Sequence, residues 1–463
     1  MSYLSPEFAA FFLLFLCIYW ALGKSHQAQK VLLLLVSYGL YAALDWRFAL
    51  ILLAYTTCMT ALITSVLWLP KRRNFLTAIA IAGSVLNLAV FKYFDFFRES
   101  VQTVAASLDL IWIFPALDIL LPVGISFYTF QAIAYIVAIR RSERAPANPL
   151  NTALYLAFFP TLLAGPICRP NDLLTQFESK EPRQILEPNL ALCLFLSAMI
   201  KKVWLASWIA STWVNPLFAN PDAYQGIELI LGMYAYAIQI YFDFSGYSDL
   251  VIGMALLLGY RLNANFNFPY LARSLRDFWR RWHISLSTWI RDYVYIPMGG
   301  SHGTWGQTQV VIVTAMIISG IWHGASLKYI IWGAIHGLGM VLQNAYERWS
   351  GKKLDNVLSL VITFHFVCLA WVFFRADTWQ DALTYLSGFT RLNAPLQLNV
   401  FAGAALVALF FIISVFAGSM FKLSVQMFQR TPIFVKPIVL TFSALVIHLL
   451  GPSGVPAFLY YSY

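Results

Sequence analysis

Charged residues are scarce in this chain of 463 amino acids. They make up 11% of the sequence, whereas hydrophobic residues make up 60% and aromatic residues 17%. Because soluble domains are typically about a quarter charged, this composition excludes an ordinary soluble protein and indicates a polytopic membrane protein. The net charge of +10 would suggest nucleic acid binding in a soluble protein, but here the basic residues collect in short loops between apolar runs. They therefore report on membrane topology, and no nucleic acid partner is expected.

Cysteine is also rare, and no internal repeat is visible. The five cysteines are scattered, without a CxxC pair or a His/Cys spacing, so neither a disulfide framework nor a metal site is expected. The first apolar run lacks a basic segment before it and a convincing cleavage site after it, so it is interpreted as a retained span. We expect one continuous membrane domain over residues 1–463.

Apolar runs of spanning or near-spanning length follow one another along the first part of the chain. They occupy about residues 8–22, 29–44, 48–69, 75–94 and 117–139. The loops between them alternate in charge, and the basic ones contain Lys24, Arg72 and Arg141. The positive-inside rule makes these basic loops cytoplasmic and places the N-terminus outside.

The next run, at about 150–164, is short and rich in proline and glycine, which predicts a re-entrant or interfacial segment. Later runs occupy about 189–210, 228–259, 308–323, 327–344, 357–374, 400–418 and 437–451. The run at 228–259 is expected to be interrupted at its sequence YFDFSGYSD. Together the runs predict an all-α polytopic membrane protein with about 11 to 12 transmembrane helices.

Ionisable residues inside two of these runs are expensive in a membrane and usually face a wet interior. Asp243 and Asp249 are therefore candidates for a cavity or for ion pairs, with Lys201 and Lys202 as their partners. An alternative is that the lysines extend to the interface from a helix that ends early.

A basic, aromatic stretch runs from Arg273 to Ser301. On a helical wheel its large apolar residues fall in one arc and four arginines in another, with His283 on the boundary. The four arginines are Arg273, Arg276, Arg280 and Arg291. Such a segment lies in or near the membrane interface. Anchoring to anionic lipid explains the arginines equally well, but it does not explain the imidazole at the boundary.

A second histidine of interest, His323, ends an apolar run at a Gly-Ala-Ser turn. A pocket of low dielectric constant there would keep its imidazole neutral and able to take a proton from a hydroxyl group. His336 lies beside glycines that permit close helix packing, and is expected to be a structural neighbour of the site.

Five motifs carry a family resemblance: LPVGISFYTFQ, FFPTLLAGPICRP, YFDFSGYSDLVIG, the stretch from Asn265 to Gly300 with RWH and YIPMGG, and SGIWHGAS. With them the chain resembles the membrane-bound O-acyltransferase (MBOAT) family. YIPMGG is more similar to the alginate O-acetylation branch than to the teichoic-acid D-alanylation branch. The resemblance implies a helix bundle around a central funnel. Its catalytic parts would be an amphipathic or re-entrant segment at 265–300 and a hairpin at 308–344.

The resemblance also implies roles for single residues. His323 in the WHG motif would be the main catalytic residue, and His283 in the RWH motif its partner. His323 would deprotonate an acceptor hydroxyl, while His283 would donate a hydrogen bond to the oxyanion. The four arginines would bind the phosphates of acetyl-CoA, a substrate rather than a covalently bound cofactor. Trp282, Trp322, Asp243 and Asp249 are further candidates for lining the cavity.

The tail at 458–463 is predicted to lie outside and resembles the aromatic tail of this branch. Tyr460 could act there as a transient acyl carrier, or the tail could be part of an interfacial aromatic belt.

The sequence thus predicts an acetyltransferase of the bacterial inner membrane. It would pass acetyl from cytosolic acetyl-CoA to an extracytoplasmic, alginate-like polysaccharide through a periplasmic partner of the SGNH type. Alternatives are an acyltransferase for peptidoglycan, cellulose, teichoic acid or lipid, and a transporter. A transporter would predict inverted repeats, which the sequence does not show.

Overall fold

The computed structural model describes residues 3–108, 120–352 and 356–452. Within these ranges every regular element is a helix, which confirms the predicted all-α class. Contacts group the chain into two compact units. The first comprises Met1–Glu187 and Met254–Asn263, and the second comprises Pro188–Gly253 and Ala264–Tyr463. The single continuous domain stays a prediction.

Within its described residues the first unit contains nine complete α-helices. They are α1 (Pro6–Ala21), α2 (His26–Ala42), α3 (Trp46–Trp68), α4 (Arg73–Leu88), α5 (Phe94–Ser107), α6 (Ile125–Arg140), α7 (Pro149–Ala157), α8 (Phe159–Leu162) and α9 (Pro170–Glu178). A π-helical turn, Ala89–Tyr93, joins α4 to α5. The predicted run at 117–139 begins outside the described residues, and its helical part starts at Ile125.

The segment predicted to be re-entrant is broken into the short helices α7 and α8. The break lies at Phe158, whose backbone is extended, and Pro160 follows in the first turn of α8. All four residues of α8 and six of the nine residues of α7 are buried, so protein surrounds the broken backbone at Phe158, as the prediction requires.

The helices of the second unit are α10 (Pro188–Ala198), α11 (Ser207–Ile209), α12 (Asn215–Ala219), α13 (Gly226–Leu257), α14 (Leu275–Arg281), α15 (Ile284–Ile290), α16 (Trp305–His323), α17 (Leu327–Ser350), α18 (Asn356–Arg375), α19 (Trp379–Ser387), α20 (Val400–Arg430) and α21 (Lys436–Leu450). Helix α13 belongs to this unit as far as Gly253, and its last residues belong to the first unit. Two π-helical segments, Met199–Ala206 and Ala210–Val214, connect α10, α11 and α12 into one long rod.

Seven helical rods in the described ranges are long and apolar enough to cross a membrane. They are Trp46–Trp68, Pro70–Ser107, Pro188–Ala219, Gly226–Leu257, Trp305–His323, Asn356–Arg375 and Val400–Arg430. Three shorter apolar helices, α1, α6 and α21, add to them. The chain is therefore a multi-pass membrane protein.

Helix α13 corrects one expectation, because it runs without interruption through YFDFSGYSD. Its glycine serves packing rather than a break. A Cβ atom on Gly246 would lie 3.1 Å from the Cβ of Lys201 and 3.3 Å from the carbonyl oxygen of Ala198. The missing side chain lets α13 approach the rod that begins with α10, and this approach places the aspartates of α13 beside lysines.

Helices α16 and α17 form the predicted hairpin around WHGAS, and glycines bring their backbones together. A Cβ on Gly320 would lie 2.1 Å from the carbonyl oxygen of Tyr329, and one on Gly333 would lie 2.4 Å from that of Met316. Small residues at such contacts allow helices in membranes to pack closely. The hairpin thereby fixes the end of α16, where His323 lies, against the start of α17.

Candidate active site

His283 lies at a sharp turn between two short helices. Helix α14 is capped at its N-terminus by Ser274, whose hydroxyl accepts a hydrogen bond from the backbone N–H of Asp277, and it ends at Arg281. His283 then adopts φ 41° and ψ 56°, the left-handed region, and caps α15. That conformation costs a non-glycine residue about 1–2 kcal/mol, and such strain concentrates at functional sites.

This turn corrects the expectation of a single helix through His283. The wheel that placed four arginines in one arc fails, because the helical phase is lost at Trp282 and His283. Arg273 precedes α14, and Arg291 begins a π-helical turn after α15. Periodicity indicates the apolar face of a helical stretch. It does not reveal a break between two short helices whose apolar residues fit the same pattern.

The imidazole of His283 is fully buried and held by Asn265. Its Nδ1 lies 3.3 Å from Oδ1 of Asn265, and the backbone N–H of Ile284 donates to the Asn265 carbonyl oxygen at 2.9 Å. The ring of Phe244 meets it edge-on, with 4.7 Å between centroids. Burial lowers the pKa of His283 to about 3, so the ring is neutral at physiological pH.

His323 is the last residue of α16 and is 3% exposed. The ring of its neighbour Trp322 contacts both histidines of interest. The Trp322 ring centroid is 6.0 Å from that of His283 and 4.8 Å from that of His323. The structure thus brings residues 40 positions apart in sequence into contact with the same indole ring. Both imidazoles are buried, and in such surroundings electrostatic interactions are stronger than in water.

An aromatic wall extends from His323 to a third histidine. The ring of Trp332 lies 5.1 Å from that of His323 and 4.9 Å from that of His336, and Phe374 lies 5.0 Å from His323. His336 is fully buried and packs against Trp279 at 5.0 Å. It is therefore one ring removed from His323, as expected for a structural neighbour.

Two ion pairs join the rod that begins with α10 to α13. Lys202 pairs with Asp243, and both side chains are nearly fully buried. Lys201 pairs with Asp249 at 2.6 Å, and Asp249 also accepts a hydrogen bond from Ser197 at 2.8 Å. The aspartates therefore have the partners proposed from the sequence. Asp243 directly precedes Phe244 in α13, and the Phe244 ring contacts His283. The Lys202–Asp243 pair therefore holds α13 in place next to His283.

The four arginines predicted to bind phosphate are all exposed, whereas the histidines are buried. Arg276 donates to Oδ1 of Asn344 at 3.0 Å, and Arg291 pairs with Asp292 at 2.7 Å. Trp282 is 1% exposed and stacks on Phe278 with 5.7 Å between ring centroids. The structure thus separates an exposed basic surface from the buried histidine cluster.

Comparison with known proteins identifies the family. The family model described as MBOAT, membrane-bound O-acyltransferase family, matches residues 33–376. The chain belongs to this family. The matched region includes His283, His323 and the aromatic wall between His323 and His336.

Individual relatives agree with membership of the MBOAT family. A probable alginate O-acetylase of Pseudomonas aeruginosa is 38% identical over 388 residues, which cover 82% of this chain and 73% of that protein. A peptidoglycan O-acetyltransferase of Helicobacter pylori is 36% identical over 68% of this chain and 64% of its own length. A teichoic acid D-alanyltransferase of Bacillus subtilis is 28% identical over 77% of this chain and 93% of its own length. This MBOAT protein is thus an O-acyltransferase.

Sequence reasoning missed two residues of this MBOAT site. Asn265 is one of three asparagines in NANFNF, and nothing in their spacing selects it. Trp332 is one of 16 tryptophans in a chain where aromatic residues are common. Both residues are recognised only from their contacts in the structure. Asn265 shares a hydrogen bond with His283, and the ring of Trp332 packs against His323 and His336. The predicted carrier Tyr460 and the tail at 458–463 lie outside the described residues.

Proposed function

We propose that this O-acyltransferase passes an acetyl group from cytosolic acetyl-CoA towards hydroxyl groups of an extracytoplasmic, alginate-like polysaccharide. The observation that carries the proposal is that His283 and His323 are both buried and both pack against the ring of Trp322. The acetyl group and the polymer are suggested by the relative that is named as an alginate O-acetylase. The proposed location is the bacterial inner membrane, with the N-terminus outside.

In this reaction a histidine accepts the proton of the attacking hydroxyl group, and His323 is proposed for that step. The hydroxyl oxygen forms a bond to the acyl carbon, and the carbon–sulfur bond of the thioester breaks. The CoA thiolate then takes the proton and leaves as the thiol, so atoms and charge balance. Because only the acyl group has to pass the membrane, the polyanionic CoA can stay on the cytoplasmic side.

The exposed arginines suit the donor side of this reaction. Guanidinium groups bind phosphate through paired hydrogen bonds, and Arg273 and Arg280 project from the same short stretch as His283. On the other side we propose a periplasmic acetyltransferase partner of the SGNH type, which would deliver acetyl to the polymer. Tyr460 is proposed as a transient carrier between the two, and undiminished polymer acetylation by a Tyr460→Phe variant would exclude it.

The first test uses purified protein in nanodiscs with acetyl-CoA labelled in the acetyl group. We expect CoA release and transfer of label to polysaccharide when the periplasmic partner is added. His323→Ala should lower the rate at least about 100-fold, because a general base contributes 10²–10⁴-fold. His302→Ala is the matched control, since His302 is exposed. If the wild-type protein neither released CoA nor transferred label, the proposal would be contradicted. That result is the one expected of a transporter.

A second acceptor deserves the same assay, because the relatives differ in what their names say they modify. One is named a peptidoglycan O-acetyltransferase at 36% identity, close to the 38% of the alginate relative. Peptidoglycan fragments offered in parallel with alginate would decide between the two. Preferential labelling of the fragments would keep the enzyme class and change the polymer.

A further inference from the structure

The side-chain amide of Asn265 is the centre of a hydrogen-bond cluster beneath His283. Its Oδ1 lies 3.3 Å from Nδ1 of His283, 3.0 Å from the backbone nitrogen of Ser285 and 2.9 Å from the Ser285 hydroxyl. Asn265 is 1% exposed and His283 is fully buried, whereas Ser285 is half-buried.

The orientation of this amide follows from one of the three neighbours. A backbone N–H group can only donate, so the atom that faces the Ser285 nitrogen must be the amide oxygen. The reversed amide would set its NH₂ group against that N–H, donor against donor. The oxygen therefore also faces His283. The Ser285 hydroxyl lies 3.5 Å from Nδ1 of His283, but its one hydrogen is donated to the Asn265 oxygen at 2.9 Å, so both oxygens near Nδ1 can only accept and Nδ1 carries the hydrogen.

We propose that Asn265 is a positioning residue that fixes His283 in the tautomer with hydrogen on Nδ1 and the lone pair on Nε2. The inference rests on the proposed function, since it concerns how His283 takes part in acyl transfer. His283 then meets the reactants as a hydrogen-bond acceptor through Nε2. This replaces the expected role as donor to an oxyanion, for which Nε2 would first need a proton.

Two further features of the site agree with this assignment. The backbone N–H of Ile284 donates to the Asn265 carbonyl oxygen, so the turn carrying His283 is tied to Asn265 through main chain as well as side chain. Burial also lowers the pKa of His283 to about 3, so that a second ring proton is disfavoured. In a neutral ring the hydrogen bond of one nitrogen sets the chemistry of the other.

A double-mutant cycle tests whether Asn265 acts through His283. The proteins are the wild type, Asn265→Leu, His283→Gln and the double variant, with Asn267→Leu as a control because Asn267 is exposed two residues away. We expect Asn265→Leu to lower kcat about 10-fold or more while the KM for acetyl-CoA changes less than about twofold. In the His283→Gln background the same change should cost less than about twofold. An equal loss in both backgrounds would overturn the proposal.

The tautomer itself can be read without activity, on the wild-type protein. Solid-state NMR of protein labelled with ¹⁵N-histidine distinguishes protonated from unprotonated ring nitrogens, and the signals lost in His283→Gln belong to His283. We expect a protonated Nδ1 and an unprotonated Nε2, and the opposite pattern would refute the assignment whether or not Asn265→Leu folds. A wild-type protein that transfers no acyl group would contradict the proposed function, while the NMR measurement would still test the tautomer. Active protein in which Asn265→Leu behaves like Asn267→Leu would sink this inference alone.

Discussion

A histidine buried without charge makes the stability of this fold depend on pH. His283 has a pKa of about 3 in the folded protein because burial disfavours its charged form. In the unfolded chain an imidazole takes up a proton below about pH 6.5. Between these values the unfolded state binds the extra proton, so stability falls as the pH is lowered from about 6.5 towards 3. Above about pH 7 the effect vanishes.

Replacing His283 should remove this contribution to the pH dependence. Between pH 7.5 and pH 5.5 the wild type should lose about 1.4 kcal/mol more unfolding free energy than His283→Gln, which cannot take up the proton. The measurement is the melting temperature of the detergent-solubilised protein at both pH values. His302→Gln should keep the wild-type dependence, because His302 is exposed. Parallel decreases in the wild type and His283→Gln would show that His283 is accessible to protons in the folded state.

The elements of the fold were predictable where apolar length alone defines them. The bounds predicted for the runs at 308–323 and 357–374 differ by no more than a few residues from the bounds of α16 and α18. They agree because a membrane-spanning helix needs a long apolar stretch. The uninterrupted α13 was not predicted. Its aspartates are neutralised by lysines of a neighbouring rod, and its glycine packs against that rod, so neither interrupts the helix. The turn at His283 escaped for a related reason, because its left-handed backbone is held by Asn265 from outside the helical stretch.

The hairpin of α16 and α17 supplies a prediction at this scale. Gly320→Ala would place a Cβ 2.1 Å from the carbonyl oxygen of Tyr329, a backbone atom that cannot move without shifting α17. We expect a loss of about 1–3 kcal/mol in stability. Because His323 follows three residues later, the rate of acyl transfer should fall as well. Both can be followed by melting temperature and CoA release.

The same helix offers the control. Gly306 lies near the start of α16, and apart from its chain neighbours and the backbone of its own helical turn no atom lies within 4 Å of where its Cβ would be. Gly306→Ala should be neutral or stabilise by up to about 1 kcal/mol, because alanine favours the helix. If both substitutions were equally harmless, the hairpin would be able to separate without cost, and its glycines would not position His323.

At the scale of the whole molecule, the distribution of charge predicts how the chain is threaded through the membrane. The exposed basic residues Lys71 and Arg72 follow α3, whereas the loop before α3 carries Asp45, paired with Arg47 at 2.6 Å. The net positive loop should be cytoplasmic and the neutral one outside. That orientation is required by the proposed function, because acetyl-CoA must reach the protein from the cytoplasm and the polymer from the other side.

Single cysteines placed at the two ends of α3 test this orientation in a variant without its five native cysteines. Trp46→Cys and Lys71→Cys both replace exposed residues, and they are separated by a helix of 23 residues, long enough to cross a bilayer. In intact spheroplasts a membrane-impermeant maleimide should label position 46 within minutes and position 71 only after permeabilisation. The reverse pattern would put the N-terminus inside. The basic loops would then face the acceptor polymer, and a donor as charged as acetyl-CoA would have no cytoplasmic binding surface among them.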